Sequence, residues 1–506
     1  MTCPVGIDYT KRFWELWIRA FGNRKFLDGL DAVRVPIVVL VLGGRRRLRD
    51  RLKFLIYLPA LTVKNIFFAG GIKKAPDRLP ETDILFVSHT ERSDVWASQL
   101  RLIGAVHARR PDLKLTVLIP SSFRECPGYV RRVDLEMVAH PRLKGLWKYK
   151  MLSLKAFLKN ARMLLTCPQE KILKDRILIN LPEILFRLLQ ACFRIQFGRR
   201  FLQMVRPKGV VVSIDSSSPV SCSAVIEKIP VFQIQHGIRE FFYTRFVSDV
   251  CYTWGRLSQR WLLKWGALPE TLVEGGSLKV VAVMDKFAQG RINAPANPSL
   301  SALREIKATG RKIFTYFSQG QSTSEALGRE GEKYDMAVSW FLGARSQLDS
   351  KYGFVIKLHP VEKDNRPYLK RWGGKALDGV TFVAGSVPIY DVLALTDVAA
   401  TVKSTSGLDV MLAKVPLIQL FSDEWADVTL WSAHGLSRCA SSERLCAVLE
   451  DFLSPGKRAE AIKVQDNLLQ WELSHRGKEA EVIAADILQR LRCGSTQDLS
   501  YEKIFT

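Results

Sequence analysis

Short runs of apolar residues, separated by longer stretches with a helical pattern, recur along the chain from residue 82 onward. In the first half these runs are Thr82–His89, Leu113–Ile119, Lys208–Asp215, Ile229–Gly237, Ser248–Gly255 and Leu272–Ser277. Continuous apolar runs of this length are typical of strands that are buried on both faces of a parallel sheet. Their alternation with helical lengths predicts a doubly wound α/β domain.

The same pattern restarts after a polar segment, Gln289–Ser301, which is the best candidate for a linker. Beyond it the predicted strands are Lys312–Phe317, Phe354–Leu358, Val380–Gly385, Val398–Val402 and Pro416–Phe421. Two successive blocks of this kind predict two Rossmann-like, doubly wound domains that face a central cleft. Ligands of such sheets bind at the carboxyl ends of the strands.

These patterns divide the 506 residues into four parts, because a chain of this length exceeds one simple core. We expect a basic amphipathic segment at 1–75, a first Rossmann-like domain at 76–290, a second at 291–435, and C-terminal helices at 436–506. Within the first domain, residues 123–208 form a very basic insert that we expect to be mostly helical.

The charge balance indicates an anionic partner. The chain has 75 Lys and Arg against 50 Asp and Glu, a formal net charge of +25. Nucleic acid, an anionic membrane surface and phosphorylated substrates all fit that charge. The nine cysteines form no CxxC pair, and the N-terminus has no secretory signal pattern, so we expect a reducing, cytoplasmic environment.

The first 75 residues combine apolar and basic stretches. Aromatic residues stand beside Lys and Arg in Tyr9–Phe21, and the basic run Gly43–Lys53 separates the apolar stretches Val35–Leu42 and Phe54–Ile72. The first stretch is too short to span a bilayer, and Lys64 interrupts the second. The pattern favours contact with an anionic membrane surface, although a helical subdomain packed on the body remains open and the two can coexist.

Polar residues follow several predicted strands of the second domain. His359 comes directly after a strand, Pro360 fixes the backbone after it, and three hydroxyls and a glycine precede a helix in KSTSGLDV, more than a helix cap requires. Hydroxyls and backbone N–H groups at such a turn predict binding of a nucleotide-linked phosphate. No Walker or GxGxxG pattern is present. The candidate ligand-binding residues are Lys357, His359, Pro360, Ser404, Thr405, Ser406, Gly407, Gln319, Gly320 and Ser322.

Two histidines end strands of the first domain. His89 has Glu91 and Asp94 close by, and His236 lies in QHG with Glu240 four residues on. Either histidine could take a proton from a hydroxyl, and so could a carboxylate whose pKa is raised by burial. A purely structural role of QHG, in which the histidine holds the cleft closed, also stays open. No metal-ligand spacing is present, so we expect neither a metal nor a cofactor.

A set of motifs in residues 229–421 resembles the GT-B glycosyltransferases. The motifs are QHG, CYTWG followed by EGGS, KLHP, and KSTSGLDVMLAKVPLI. Their order resembles most the group of CDP-glycerol glycerophosphotransferases, bacterial polysialyltransferases and capsule-polysaccharide transferases. The resemblance implies that His359, Pro360 and Ser404 to Ser406 contact the donor nucleotide and its phosphates. Lys403 stands where teichoic-acid polymerases of this group tend to have aspartate-tyrosine before the serine turn, which favours a CMP-, CDP- or UDP-linked sugar over CDP-glycerol.

The resemblance implies an acceptor role for the first domain and a donor role for the second. We therefore expect a transferase of bacterial surface polysaccharide biosynthesis, such as that of capsule or lipopolysaccharide. Its acceptor would be a glycan or lipid-linked molecule, and it would lie peripherally on the cytoplasmic face of the inner membrane. The alternatives are a sugar-nucleotide epimerase of the same fold and a basic nucleic-acid-binding protein, which would line its charged face with stacking aromatics.

Overall fold

The fold is that of a computed structural model of the chain. It describes residues 81–88, 93–119, 126–134, 146–166, 177–178, 181–212, 219–235, 237, 247–264, 267–279, 300–319, 329–360, 362–422, 425 and 429–493. The predicted segment 1–75 and the linker residues 289–299 lie outside the described residues.

Seven parallel strands form the first sheet, in the order β3-β2-β1-β4-β5-β6-β7. The strands are β1 Ile84–Val87, β2 Leu115–Ile119, β3 Val130–Asp134, β4 Gly209–Val212, β5 Val231–Ile234, β6 Val250–Thr253 and β7 Leu272–Glu274. β3 lies in the insert that the sequence predicts to be mostly helical. Its two arginines obscure the strand pattern, yet Val130 and Val133 are buried beside β2 while Arg131 is exposed at the sheet edge.

Six parallel strands form the second sheet, in the order β10-β9-β8-β11-β12-β13. They are β8 Lys312–Phe317, β9 Tyr352–Lys357, β10 Val380–Val383, β11 Val398–Thr401, β12 Leu417–Leu420 and β13 Arg438–Cys439. In both sheets the chain first builds outward in one direction and then returns to the centre to build the other half. The structure thus confirms the predicted α/β class with two doubly wound parallel sheets.

Helices cover both faces of the sheets. They are α1 Ser93–Arg109, α2 Leu146–Thr166, α3 Leu181–Val205, α4 Pro219–Ile226, α5 Arg256–Lys264, α6 Ser301–Ala308, α7 Arg329–Leu348, α8 Arg366–Trp372, α9 Gly374–Leu377, α10 Ile389–Leu393, α11 Ser406–Leu412, α12 Ser442–Asp451, α13 Pro455–Glu472 and α14 Glu479–Cys493. Within the described ranges, every helix is too short or too polar to cross a membrane.

Successive residues of β1 show why its sequence is continuously apolar. Ile84 and Phe86 lie in one apolar cluster with residues of α1 and α14, whereas Leu85 and Val87 lie in another with residues of α3 and α4. Because successive side chains of a strand point to opposite faces, helices on both faces demand an apolar residue at every position.

The C-terminal helices connect the two domains. α13 contributes Leu468 and Leu469 to an apolar cluster of the second sheet, and α14 contributes Ile483 and Ile487 to one of the first. The chain therefore crosses from one domain to the other between α13 and α14. Tyr252 of the first domain also donates a hydrogen bond to Asp486 of α14, with an oxygen–oxygen distance of 2.6 Å.

Glycines of the first domain leave room for the backbone between α13 and α14, residues 473–478, which we call the crossing segment. A Cβ atom on Gly255 would lie 2.7 Å from the carbonyl oxygen of Glu472, and one on Gly276 would collide with the carbonyl oxygen of Ser474. Ser474 bonds directly to the first domain, donating from its N–H to the Trp254 carbonyl at 2.8 Å and from its hydroxyl to Glu274 at 2.7 Å. The glycines of CYTWG and EGGS thus have a packing role where the domains join.

The Gly276→Ala variant should lower stability more than Gly310→Ala. Both glycines have positive φ, +83° and +81°, but only Gly310 faces open space. In each variant the free energy of unfolding should fall by about 1 kcal/mol, because a Cβ atom disfavours the left-handed backbone conformation. Gly276→Ala should lose roughly 1–3 kcal/mol more, because the crossing segment must move. Urea unfolding midpoints measure the difference, and equal losses would contradict the assigned contact.

Candidate functional site

Two of the predicted loops leave the second sheet side by side. The strand order reverses between β8 and β11, which pair with Tyr316 opposite Ala400. The hydroxyl of Thr401 donates to the carbonyl oxygen of Phe317 at 3.3 Å, so the segments that follow the two strands start next to each other. This reversal is the topological switch point, where open α/β sheets bind ligands.

The hydroxyl-rich turn follows β11 and leads into α11. The Ser404 hydroxyl oxygen accepts a hydrogen bond from the Ser406 N–H at 3.2 Å, and the Gly407 N–H donates to the Ser404 carbonyl at 2.9 Å. A Cβ atom on Gly407 would lie 2.5 Å from the ring of the fully buried Trp431. Gly407 is therefore needed for close packing of this turn, which fixes where the serines lie.

Among the described residues, two polar atoms at the switch point have no hydrogen-bond partner. They are the hydroxyl oxygen of Ser406, after β11, and the side-chain oxygen of Gln319, after β8. Both atoms are buried. Since buried polar atoms of folded proteins are nearly always hydrogen-bonded, these two mark a place where a polar ligand can bond.

A buried carboxylate, Glu362, fixes the His-Pro turn to the loop after β8. It accepts a hydrogen bond from the His359 N–H at 2.7 Å and another from the Ser318 hydroxyl. The Tyr368 hydroxyl also bonds to this group, and burial raises the pKa of that phenol well above its usual value. His359 is half-buried in this turn and Pro360 is exposed. The sequence interpretation missed Glu362, since VEKDN has the composition of a solvated loop.

Lys357 joins two turns at the ends of β9 and β10. Its ammonium group is buried and donates to the carbonyl oxygens of Leu358 at 2.9 Å and Gly385 at 3.1 Å. Burial lowers the pKa of Lys357 to about 8, against an opposing effect of the Glu362 carboxylate. A direct contact of Lys357 with a sugar-nucleotide donor stays a prediction, because in this structure its ammonium group donates hydrogen bonds to backbone carbonyls.

Gln235 holds the QHG turn of the first domain. Its side-chain oxygen accepts from the Trp254 N–H at 3.0 Å, and its side-chain amide donates to the Gly237 carbonyl at 3.0 Å. The Trp254 indole N–H donates to the Gln235 carbonyl at 2.9 Å. These bonds fix the backbone on both sides of residue 236. Gln235 was also absent from the sequence candidates, although it precedes the histidine directly.

The QHG turn faces the hydroxyl-rich turn of the other domain. A Cβ atom built on Gly237 would lie 3.8 Å from the hydroxyl oxygen of Thr405. Nearby, the Lys279 ammonium lies 3.8 Å from a carboxylate oxygen of Asp409 in α11, which links the end of the first domain to the same helix. The structure therefore brings together two motifs that are far apart in sequence, one from each domain.

Most of the other candidates lie outside the described residues. His89, Glu91, His236, Glu240, Gly320 and Ser322 lie outside the described residues, and Asp94 belongs to the first turn of α1. Their roles stay predictions. Across the described ranges, no three His, Cys, Asp or Glu side chains are grouped as a metal site would require.

No family model matches the sequence, and no curated protein matches it. Solved structures of GT-B enzymes do align with it. They include UDP-GlcNAc 2-epimerase from Neisseria meningitidis bound to UDP-GlcNAc (13% identity, 80% of this chain, 100% of that chain, TM-score 0.49). They also include Anabaena Alr3699/HepE in complex with UDP and glucose (11% identity, 81% of this chain, 100% of that chain, TM-score 0.46). A third is the wall teichoic acid polymerase TagF (11% identity, 88% of this chain, 98% of that chain, TM-score 0.42). The strand orders of the two sheets establish the doubly wound fold independently of these distant likenesses.

Replacing Lys357 should change how stability depends on pH. Between about pH 8 and about pH 10.5, Lys357 is neutral in the folded protein but protonated in the unfolded chain. The unfolded chain then binds more protons, so the free energy of unfolding gains a component that rises with pH, by at most about 3 kcal/mol. Below pH 8 the lysine is charged in both states and this component is constant.

The Lys357→Met variant should lack this rising component. Urea unfolding of the wild type and the variant at several pH values between 7 and 10 measures it as the difference between the two curves. Lys375→Met, at an exposed position of α9, is the control for the loss of one positive charge. Parallel curves for the wild type and Lys357→Met would show that the buried ammonium does not titrate in this range.

Proposed function

We propose that this chain is a glycosyltransferase that transfers a sugar from a CMP-, CDP- or UDP-linked donor to a glycan or lipid-linked acceptor. The observation that carries the proposal is the opposition of two turns, with Gly237 of QHG next to Thr405 of the hydroxyl-rich turn. One turn lies at the switch point of the second sheet, and the other ends a strand of the first. A donor bound alongside the place where these turns meet would have its phosphates at the second sheet and the acceptor's base at the first.

The second domain would hold the donor. At the switch point the Ser406 hydroxyl can donate a hydrogen bond to a phosphate, and the Gln319 side-chain oxygen can accept one from a hydroxyl or N–H of the donor. Ser404, Thr405 and the half-buried His359 follow β11 and β9, the two neighbours of β8. Departure of a nucleotide leaves negative charge on its phosphate, so fixed donors at this place stabilise the transition state more than the ground state. Glu362 contributes indirectly, because it fixes the backbone of His359.

The first domain would supply the general base. His236 is favoured over His89 because its described neighbour Gly237 lies next to Thr405 of the other domain, which supports a role for QHG at the site. An imidazole titrates near neutrality and can take the proton of an acceptor hydroxyl as that oxygen attacks the anomeric carbon. Glu91, Asp94 and Glu240 are the carboxylates that could orient or replace it. The bond between the sugar and the nucleotide phosphate breaks in the same step, so no cofactor is consumed.

The biological setting follows from the acceptor. A glycan or lipid-linked acceptor of a bacterial surface polysaccharide is assembled at the cytoplasmic face of the inner membrane, and the net charge of +25 suits that anionic surface. The basic segment 1–75 is the sequence feature that first suggests such a location.

Ser406→Ala should weaken nucleotide binding without lowering stability. The Ser406 hydroxyl has no hydrogen-bond partner in the part of the chain that the structure describes, so its removal leaves no group there unsatisfied. If it bonds to the donor, the dissociation constant measured by calorimetry with CMP, CDP and UDP should rise about five- to tenfold for the nucleotide that binds. Ser346→Ala, an exposed position on α7, should bind as the wild type does. An unchanged constant for Ser406→Ala would remove it from the donor site.

An assay of the full-length protein tests the reaction itself. With CMP-, CDP- and UDP-linked sugars and bacterial membranes as the acceptor source, we expect release of one nucleotide and incorporation of its sugar into glycan, detected by mass spectrometry. His236→Ala should reduce turnover at least about a hundredfold while nucleotide binding persists. Interconversion of the free sugar nucleotide without an acceptor would favour the epimerase. Binding of nucleic acid without any binding of nucleotide would refute both enzymes.

A further inference from the structure

Helix α2 presents an apolar face to solvent. Met151, Leu154, Leu158 and Leu165 are all exposed, Leu158 to 59% of its surface. Their spacings of three, four and seven residues keep them on one side of the helix. An isolated exposed leucine needs no explanation, but four large aliphatic residues exposed on one side of one helix are typical of a surface that binds a partner.

The opposite side of α2 is buried against the protein. Ser153, Ala156, Asn160 and Leu164 are buried at the same kind of spacing, and α2 packs against α3 rather than against a strand of the sheet. α3 in turn supplies Ile195, Phe201 and Leu202 to the apolar cluster under the sheet. α2 is therefore an additional outer layer of the first domain, and its apolar row is not the inward face of the helix.

Positive charges border the apolar row. Lys155, directly after Leu154, and Arg162, four residues after Leu158, are both exposed. The whole sequence of α2, LWKYKMLSLKAFLKNARMLLT, contains no acidic residue. An aliphatic row flanked by cations with no anion matches the boundary of an anionic bilayer, where the side chains enter the interface and the cations meet the headgroups. Among the described side chains of α2, residues 151–166, the aromatic residue Phe157 is half-buried, whereas a surface that binds single-stranded nucleic acid exposes aromatic rings for stacking.

We propose that the face formed by Met151, Leu154, Leu158 and Leu165, with Lys155 and Arg162 at its border, docks the first domain on an anionic lipid bilayer. This deepens the proposed location at a membrane surface and assigns it to a helix of the folded domain, separate from residues 1–75. The face does not depend on the transfer reaction, because none of its residues belongs to the two turns of the candidate site.

The test uses the full-length chain and vesicles of phosphatidylglycerol with phosphatidylcholine, part of the phosphatidylglycerol carrying a photoactivatable acyl chain. The chain should float with these vesicles, and the cross-linked lipid should map by mass spectrometry to the peptide that contains residues 151–165. Leu154→Glu combined with Leu158→Glu should lower the partition coefficient at least about tenfold, because two leucines leave the interface and two negative charges enter it.

A matched control separates this face from exposed apolar residues in general. Met336→Glu combined with Leu369→Glu changes two residues of the second domain that are 38% and 43% exposed, close to the 39% of Leu154. This control should float like the wild type. Thermal unfolding of both double variants should stay within a few degrees of the wild type, since the replaced side chains are exposed.

Several outcomes would overturn the proposal. They are no binding of the wild type to anionic vesicles, no cross-link within α2, and equal flotation of the two double variants. Loss of self-association in the Leu154→Glu, Leu158→Glu variant without loss of flotation would assign the face to a second copy of the chain. The measurement contains neither donor nor acceptor, so its failure would leave the proposed transfer reaction untouched, and failure of that reaction would leave this result untouched.

Discussion

The geometry of the molecule depends on how closely the crossing segment approaches the first domain. The backbone between α13 and α14 lies against Gly255 and Gly276, and it is held there by two hydrogen bonds from Ser474. Contacts on either side reinforce it: the Arg260 guanidinium lies 4.9 Å from the centre of the Trp471 ring, and Trp254 and Leu257 belong to an apolar cluster of the second sheet. A close backbone contact of this kind is sensitive to a single methyl group, so it sets the relation of the domains more tightly than apolar contact alone.

The same contact sets the geometry of the candidate site, because Trp254 takes part in both. Its carbonyl accepts from Ser474 of the crossing segment, while its backbone and indole N–H groups bond to Gln235, which holds the QHG turn. A shift of the crossing segment would therefore move the turn that faces Thr405. In the second domain the buried carboxylate of Glu362 has the corresponding role for His359. Its buried side-chain oxygens accept hydrogen bonds from three donors, a condition under which a buried polar group is tolerated.

The sequence predicted most of the strands and the candidate turns, but not the side chains that hold those turns in place. Apolar runs such as Val398–Val402 are long and uninterrupted, and the structure has a strand there at Val398–Thr401. β3 was missed because two arginines interrupt its pattern, which an edge strand tolerates on its open side. The candidate turns were found because hydroxyls and glycines concentrate there. Glu362 and Gln235 were not predicted, because each acts through a partner that only the fold brings near. Glu362 bonds to Ser318 and Gln235 bonds to Trp254, and the sequence around each residue does not indicate these contacts.

The positively charged residues of the chain have different roles, which depend on whether they are buried or exposed. In the candidate site, Lys357 is buried and donates to backbone carbonyls, so its cation supports two turns and is not on the surface. On α2, Lys155 and Arg162 are exposed beside aliphatic side chains, where a cation acts over a distance and responds to salt. The cations of α2 and the candidate donor-binding groups thus belong to different domains, and binding to an anionic surface can be altered at α2 without touching the switch point of the second sheet. That separation allows the two proposed properties, attachment to a bilayer and sugar transfer, to be measured independently in one protein.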